Sequence, residues 1–472
     1  MTESRKEHSF RGKLVMVGFG CVGQGVLPLL LRHIDMRAEQ ILIMTADEDG
    51  IGVARKHGVP HMVTPLNQEN YLQLLEPRLA PGDFLLNLAV DVSSLALIAL
   101  AQKKGALYLD TCIEPWAGGY TDVNLPAAKR SNYAFRESAL AMRRPDGKGA
   151  TAVITHGANP GLVSHFIKQA LLNISADAGA PLDAPKTREG WARLAQGLGV
   201  RVMHVAERDS QVASKRKVPG EFVNTWSVDG FVGEGFQPAE LGWGSHERHF
   251  PADGCRHDYG SKAAIYLARP GASTQVRTWT PLAGAIHGFL ITHSESISTA
   301  DYYTIGEGET VQYRPTVHYA YHPCDDAVLS IHELAGRNWR MQKKQRVMKD
   351  EIVSGIDELG VLLMGHGRGI YWYGSQLSIS EARSLAPHNS ATSLQVTAPV
   401  MAGVIWAMKN PARGVIEPEE MPYDEILRIC RPYMGNVIGA YGEWTPLKDR
   451  GLLFDEDLDR DDPWQFKNFR VV

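Results

Sequence analysis

The sequence predicts an α/β protein in which a doubly wound parallel sheet at the N-terminal end carries an inserted α+β domain. Three observations predict it. From Leu14 to Thr155, short apolar runs alternate with segments of helical spacing, the signature of a parallel sheet with helices on both faces. Gly18, Gly20 and Gly23 form a glycine-rich turn between the first run and the first helix. Beyond residue 160 the rhythm changes to strand-like segments separated by Gly, Pro or charged turns.

Taken in order, Leu14 to Val17 predicts a strand, Val22 to Leu31 a helix, Ile41 to Met44 a strand and Tyr71 to Leu79 a helix. Phe84 to Leu88 follows as strand, Leu95 to Lys104 as a helix stopped by Gly105, and Ala106 to Leu109 as strand. Pro126 to Arg144 reads as one long amphipathic helix, and Arg143 to Gly149 as a polar break before the strand Thr151 to Thr155. In the second part, Arg201 to Ala206, Glu221 to Val228, Ala264 to Ala268 and Gln275 to Trp279 read as strands, and the charged stretches Ser214 to Lys217 and Arg340 to Asp350 as solvated loops or helix faces. Ala398 to Met408 is a strongly apolar helix with no strand read beside it, expected to pack back on an earlier domain. The division is therefore residues 1–158, 159–390, and a C-terminal segment 391–472 that returns to the first domain.

The 472 residues exceed one ordinary core of roughly 100 to 200 residues. Forty-nine Lys and Arg against 53 Asp and Glu leave a net charge of −4, so no global basic field recruits nucleic acid or an anionic membrane, and a small molecule is the expected partner. MTESRKEHSF lacks the apolar core of a signal peptide, and no uninterrupted apolar run reaches the roughly 18 residues of a membrane span, so a cytoplasmic location is expected. Cys21, Cys112, Cys255, Cys324 and Cys430 are odd in number and scattered, as expected of reduced thiols. His318, His322, Cys324 and Asp325 crowd together in HYAYHPCDD, but their spacing fits no standard zinc pattern, and no metal is expected.

The glycines carry the first chemistry. GxGxxG directly after a strand and at the head of a helix gives a tight turn, close backbone approach to a pyrophosphate, and a helix N-terminus facing the anion. Gly18, Gly20, Cys21, Val22 and Gly23 are thus candidate cofactor contacts, with Asn87 at the end of another strand, in a Rossmann dinucleotide-binding domain. At the end of the second strand Thr45 holds the position where an acid ordinarily accepts the ribose hydroxyls, and Asp47 comes two residues late. No Arg nearby would pair a 2′-phosphate, so NAD is expected over NADP. Equally, Asp47, Glu48 and Asp49 suit the start of the next helix.

Asp91 and Glu114 follow two further strands, where ligands of open α/β sheets collect, although each alone reads equally as a helix cap or surface acid. Asn159 precedes Pro160 in GANPG and suits a helix N-cap. Glu207 ends a predicted strand, Trp226 lies in NTWSVDG, and Glu234 follows in a Gly-rich turn. Carboxylates and a Trp around one pocket would suit an organic cation, a charge pair at 4 Å giving about 4 kcal/mol at an effective dielectric near 20. Trp226 reads equally as core. His293, with Glu295 two residues on, could shuttle protons near neutral pH, or be structural.

Together, GFGCVGQG, NLAVDVSS, DTCIEPW, SNYAFRE, GANPGLV, TREGWARLA, VNTWSVDGF, QPAELGWG, THSESIS, HYAYHPC, DELGVLL and YWYGSQLS resemble the bacterial homospermidine synthases, from Gly18 to the terminal PWQF (Pro463 to Phe466). The resemblance implies a fold like that of saccharopine dehydrogenases: a Rossmann domain, an inserted α+β substrate and catalytic domain, and a C-terminal helix returning to the first. It implies a homodimer in which two putrescine molecules are joined into sym-homospermidine with release of ammonia, NAD staying bound. By motif match, Trp226 would stabilise cationic intermediates, Glu207 and Glu234 hold or deprotonate substrate amines, Asp91, Glu114 and Asn159 line the inner pocket, and His293, with Glu295 beside it, stands close to the reacting amine. Related diamines fit the same description. Two rival readings are a net dehydrogenase of the saccharopine or carboxynorspermidine type, which needs Arg or Lys for a substrate carboxylate, and a nucleotide-sensing protein without catalysis.

Overall fold

The computed structural model describes residues 6–472. A seven-stranded, wholly parallel sheet runs in the order Val415–Ile416, Ala152–Val153, Leu107–Asp110, Phe84–Asn87, Leu14–Val17, Ile41–Thr45, His61–Val63. Its central strands are buried throughout, which is why they read as continuous apolar runs.

The second sheet is mixed. It runs Gly254–Arg256, Ala264–Pro270, Pro238–Gly242, Thr316–His322, Val202–Asp209, Ile356–Met364, Ile370–Ser378, Asn436–Gly442, with the hairpin of Gln275–Thr280 and Gly284–Phe289 attached to Thr316–His322. The neighbours Thr316–His322 and Val202–Asp209 are parallel. The rest of the path is antiparallel.

The residues after 390 join both sheets. Val415–Ile416 extends the first and Asn436–Gly442 the second. Neither strand was legible beside the apolar helix: one has two residues, and the other, NVIGAYG, is glycine-interrupted with no clean alternation. The helix itself spans Ala391–Lys409. By length and composition it could cross a membrane, but 94% of its most apolar window is buried inside the protein. It is a core helix, packed on the helix Cys21–His33 and on strands of both sheets.

Three local departures from the sequence reading have physical causes. Pro126 to Arg144 is not one helix but a turn at Ala127–Lys129 and a helix Asn132–Leu140, because the Ser131 hydroxyl accepts from Ala134 N and starts the helix there. Glu234 lies not in a turn but on the helix Val228–Phe236. Ser227 caps it by accepting from Gly230 N at 3.0 Å, and burial of Val228 and Phe231 offsets glycines that each cost about 1 kcal/mol. The charged stretch Arg340 to Asp350 contains a strand, Lys344–Val347, parallel to Glu221–Asn224, with Arg346 paired to Glu221 and Glu351.

One buried cation ties the parts together. Arg136, on Asn132–Leu140, donates to Glu417 at 2.6 and 2.8 Å and to Asp301 at 2.7 Å. It thereby joins the first domain, the helix Ser294–Tyr302 and the C-terminal segment.

Candidate active site

The glycine turn has the geometry of a phosphate cradle. Gly18 has φ of +89°, and a Cβ there would stand 2.6 Å from Ala89 N, so a side chain is excluded twice over. A Cβ on Gly23 would press on Gly18 O at 2.9 Å, whereas one on Gly20 would meet nothing within 4 Å. Gly20 heads the helix Cys21–His33 with no side-chain cap, leaving the first N–H groups facing that open space, with Cys21 and Val22 first in the helix. Thr45 is buried at the end of Ile41–Thr45. Asp47 accepts from Asp49 N at 2.8 Å in the exposed loop before the helix Ile51–Lys56. Asn87, buried at the end of its strand, donates to the Tyr108 hydroxyl at 3.4 Å and accepts from Ala89 N at 3.3 Å.

Opposite this edge, four acidic and basic groups gather from three elements. Glu207, on Val202–Asp209, is buried and accepts from the Tyr319 hydroxyl at 2.6 Å and from Asn159 Nδ2 at 3.3 Å. Asn159 is not the helix cap. Gly161 heads the helix Leu162–Asp177 with φ of +124°, and a Cβ there would meet Gly157 O at 2.2 Å, so glycine takes the turn and the Asn159 amide is left for Glu207. His293 precedes Ser294–Tyr302, its Nε2 3.0 Å from Glu234 Oε2 and its Nδ1 3.3 Å from Glu295 Oε1. The second oxygen of Glu295 is buried without a partner.

Two tyrosines connect these groups. Tyr319 lies with its ring 4.5 Å from the His293 ring and stacks on Tyr321 at 5.2 Å, and the Tyr321 hydroxyl accepts from Trp226 Nε1 at 3.2 Å. Sequence reasoning missed both. The signal was the alternation in HYAYH: on one strand, Tyr319 and Tyr321 share a face, while His318 lies on the other, its ring 3.9 Å from that of His204. Trp226 is half-buried, in contact with Phe231 at 5.7 Å as well as with Tyr321. On the first-domain side, Glu114 is buried and accepts from Asp91 N at 3.4 Å, while Asp91, with φ of +62°, stands at the rim.

The electrostatics are those of an acidic, desolvated cluster. Burial pushes the Glu207 carboxyl up to about 8 against the Tyr319 hydrogen bond, with Asp209 adding like-charge repulsion. Burial pushes Glu114 up to about 8 as well, with Glu234 and Asp91 adding repulsion. Partial burial and then Asp229 raise Asp91. Burial disfavours a charged His293, but the Glu234 and Glu295 carboxylates outweigh it and hold the imidazole well above its ordinary value. Arg208, beside Glu207 in the chain, turns away to Asp325 at 3.1 Å.

The chain is similar to known proteins along its whole length. The saccharopine dehydrogenase NADP binding domain matches residues 14–153, and the saccharopine dehydrogenase C-terminal domain residues 157–442. A homospermidine synthase of Blastochloris viridis is 51% identical over 476 aligned positions covering 100% of both chains. One of Mesorhizobium japonicum is 48% identical, covering 98% of this chain and 96% of its own. The crystal structure of a homospermidine synthase from Legionella pneumophila in complex with NAD has a TM-score of 0.92 and 50% identity, covering 98% of each chain. The chain belongs to the homospermidine synthase family, built on saccharopine dehydrogenase domains.

Proposed function

We propose that the protein joins two putrescine molecules into sym-homospermidine with release of ammonia, NAD serving as a hydride store that is filled and emptied within one cycle. The observation that carries the reading is the pocket itself: Glu207, Glu234, Glu295, His293 and Trp226 meet through two tyrosines, and Arg208 turns away from it. A dehydrogenase acting on a carboxylated imine would need a cation there. The residues fit the dinucleotide: Gly20 leaves the open cradle at the helix start, with Cys21, Val22, Asn87 and Thr45 around it. When bound, NAD accepts a hydride from an amine carbon and returns it to the final imine.

The remaining chemistry falls to side chains. A charged alkylammonium cannot release hydride from its α-carbon, so one end of the diamine must lose a proton while the other stays charged. From an amine near 10.4, proton transfer to a carboxylate at the ordinary 4.3 costs about 8 kcal/mol. Burial that raises Glu207 to about 8 in the empty site brings that cost down toward ~3 kcal/mol, and the charge of the bound guest gives part of the gain back. A diammonium guest favours ionised Glu207, so the carboxylate is free to act as the guest settles. Asn159 and Tyr319 fix its orientation. Asp91 and Glu114, on the first-domain side, are the acids available for the ammonium that stays charged.

Loss of hydride leaves an iminium, which the free amine of a second putrescine attacks at carbon. His293, kept charged between Glu234 and Glu295, protonates the original nitrogen, which departs as ammonia. The new iminium, now joining both chains, regains the hydride. Trp226 stabilises both cations through its ring face, worth about 2 kcal/mol when desolvated. The proposed enzyme is a homodimer, as its family resemblance implies, and works in the cytosol, as expected from its sequence; light scattering tests the assembly. Incubation with NAD and putrescine, read by product mass, tests the reaction. Homospermidine supports it, and aminobutyraldehyde or unchanged putrescine refutes it.

A further inference from the structure

Hydride borrowing makes an unusual demand on the fold. The reduced dinucleotide must not leave between the two transfers, because its loss would strand the imine and stop the cycle. Above the glycine turn the second domain forms a lid-like wall. A cavity of about 430 Å³ lies there, lined among others by Cys21 and Gln24 of the first helix and by Thr225, Lys349, His388 and Ser390 from beyond the first domain. Lys349 spans it, its Nζ 3.0 Å from Asp49 in the loop after the second strand of the parallel sheet. That loop is fixed in turn: Gly50, with φ of +75°, lies so close to Gln24 that a Cβ would overlap its side chain at 2.2 Å.

The segment bearing Lys349 is held from behind. Arg383 donates to three backbone carbonyls, Ile352 O at 2.7 Å, Lys349 O at 2.9 Å and Asp350 O at 3.1 Å, spending its guanidinium on the loop rather than on a carboxylate. Beside it, Asn389 Nδ2 reaches Gly25 O at 3.3 Å and the Ser390 hydroxyl reaches Thr225 O at 3.2 Å, closing the same face of the cavity. Burial raises the Cys21 thiol, first in the glycine-turn helix, and the charge of Lys349 acts in the opposite direction as a lesser effect.

We propose that the segment Val347–Asp350, braced by Arg383 and pinned to Asp49 through Lys349, is a strap across the cofactor edge that retains the reduced dinucleotide between hydride transfers. The inference rests on the hydride-borrowing reading. A strap explains why a loop of the catalytic domain crosses to the ribose side of the Rossmann domain, where Thr45 replaces the acid that would otherwise hold the cofactor. Lys349 also brings a positive charge to the cavity that Cys21, first in the glycine-turn helix, lines.

Two measurements on the full chain test it. NAD affinity is measured by calorimetry without putrescine; Lys349→Met should weaken it about fivefold, the scale of one half-exposed ion pair, and Lys349→Arg should restore it. With putrescine, NADH leaking into solution is trapped by excess lactate dehydrogenase and pyruvate. Wild type should yield almost no lactate, Lys349→Met substantial lactate, and Lys349→Arg little. Wild-type affinity and retention in a folded Lys349→Met protein would overturn the strap. Failure of the reaction reading looks different: wild type then makes no homospermidine, whatever the calorimetry shows.

Discussion

His293 and Glu234, 59 positions apart in the sequence, meet at 3.0 Å between Nε2 and Oε2. Glu234, with Glu295 on the other ring nitrogen, holds the imidazole well above its ordinary value in spite of its burial. Glu234→Gln removes half of that support. The pKa of His293 should fall, visible by NMR of the imidazole, and turnover should drop by about 10²- to 10⁴-fold as the proton donor is lost at neutral pH. His293→Gln should cost a similar factor, and the double variant little more than either single one, since both remove the same function.

Trp226→Ala should lower kcat/KM for putrescine by about 30-fold, the equivalent of the ~2 kcal/mol of a desolvated cation over a ring. Trp226→Phe, which keeps a weaker ring face, should lose less. Trp226 is half-buried. Near-native melting temperatures would therefore separate this effect from misfolding, and near-normal activity of Trp226→Ala would remove the role.

Glu207 gives a pH dependence of stability with a definite sign. Its folded value lies near 8, well above the unfolded value near 4.5, so between these the folded state binds more protons than the unfolded one and stability falls as pH rises. Glu207→Gln abolishes that loss. Its melting temperature should equal or fall below wild type at pH 5, where both are neutral, and exceed it at pH 9. The same variant should lose most activity. A wild-type advantage that grows toward pH 9 would show that the ionised carboxylate has a partner we have not assigned.

Arg136 is the test of the architecture. Replacing it by Met leaves the buried Glu417 without its bidentate cation and Asp301 with Arg188 alone. The expected destabilisation is about 3–5 kcal/mol, read as a lowered denaturation midpoint. A midpoint within error of wild type would mean that the three segments are held together without it.

The central strands of the parallel sheet were legible because each is a short apolar run, whereas its edge strands His61–Val63 and Val415–Ile416 are too short to stand out in the sequence. The second sheet was not legible, since its order depends on pairings between residues far apart, such as Glu207 with Tyr321 and with Leu359. Within the site, resemblance named Glu207, Trp226, Glu234 and His293, but the residues alone left Trp226 open as core. Glu234 was misplaced because three glycines read as a turn, whereas the cap at Ser227 and the buried Phe231 make a helix. Asn159 was given to a cap that Gly161 supplies. Tyr319 and Tyr321 were hidden among histidines and a cysteine that drew attention to metal binding.

The hydride path itself gives the most direct test. Putrescine deuterated at both terminal carbons, incubated with unlabelled NAD, is followed by product mass and by absorbance of NADH. Borrowing predicts homospermidine that keeps its full deuterium label, one ammonia per product, and no rise in NADH absorbance. Product that has lost one deuterium per molecule, or NADH accumulating in step with putrescine consumed, would contradict it.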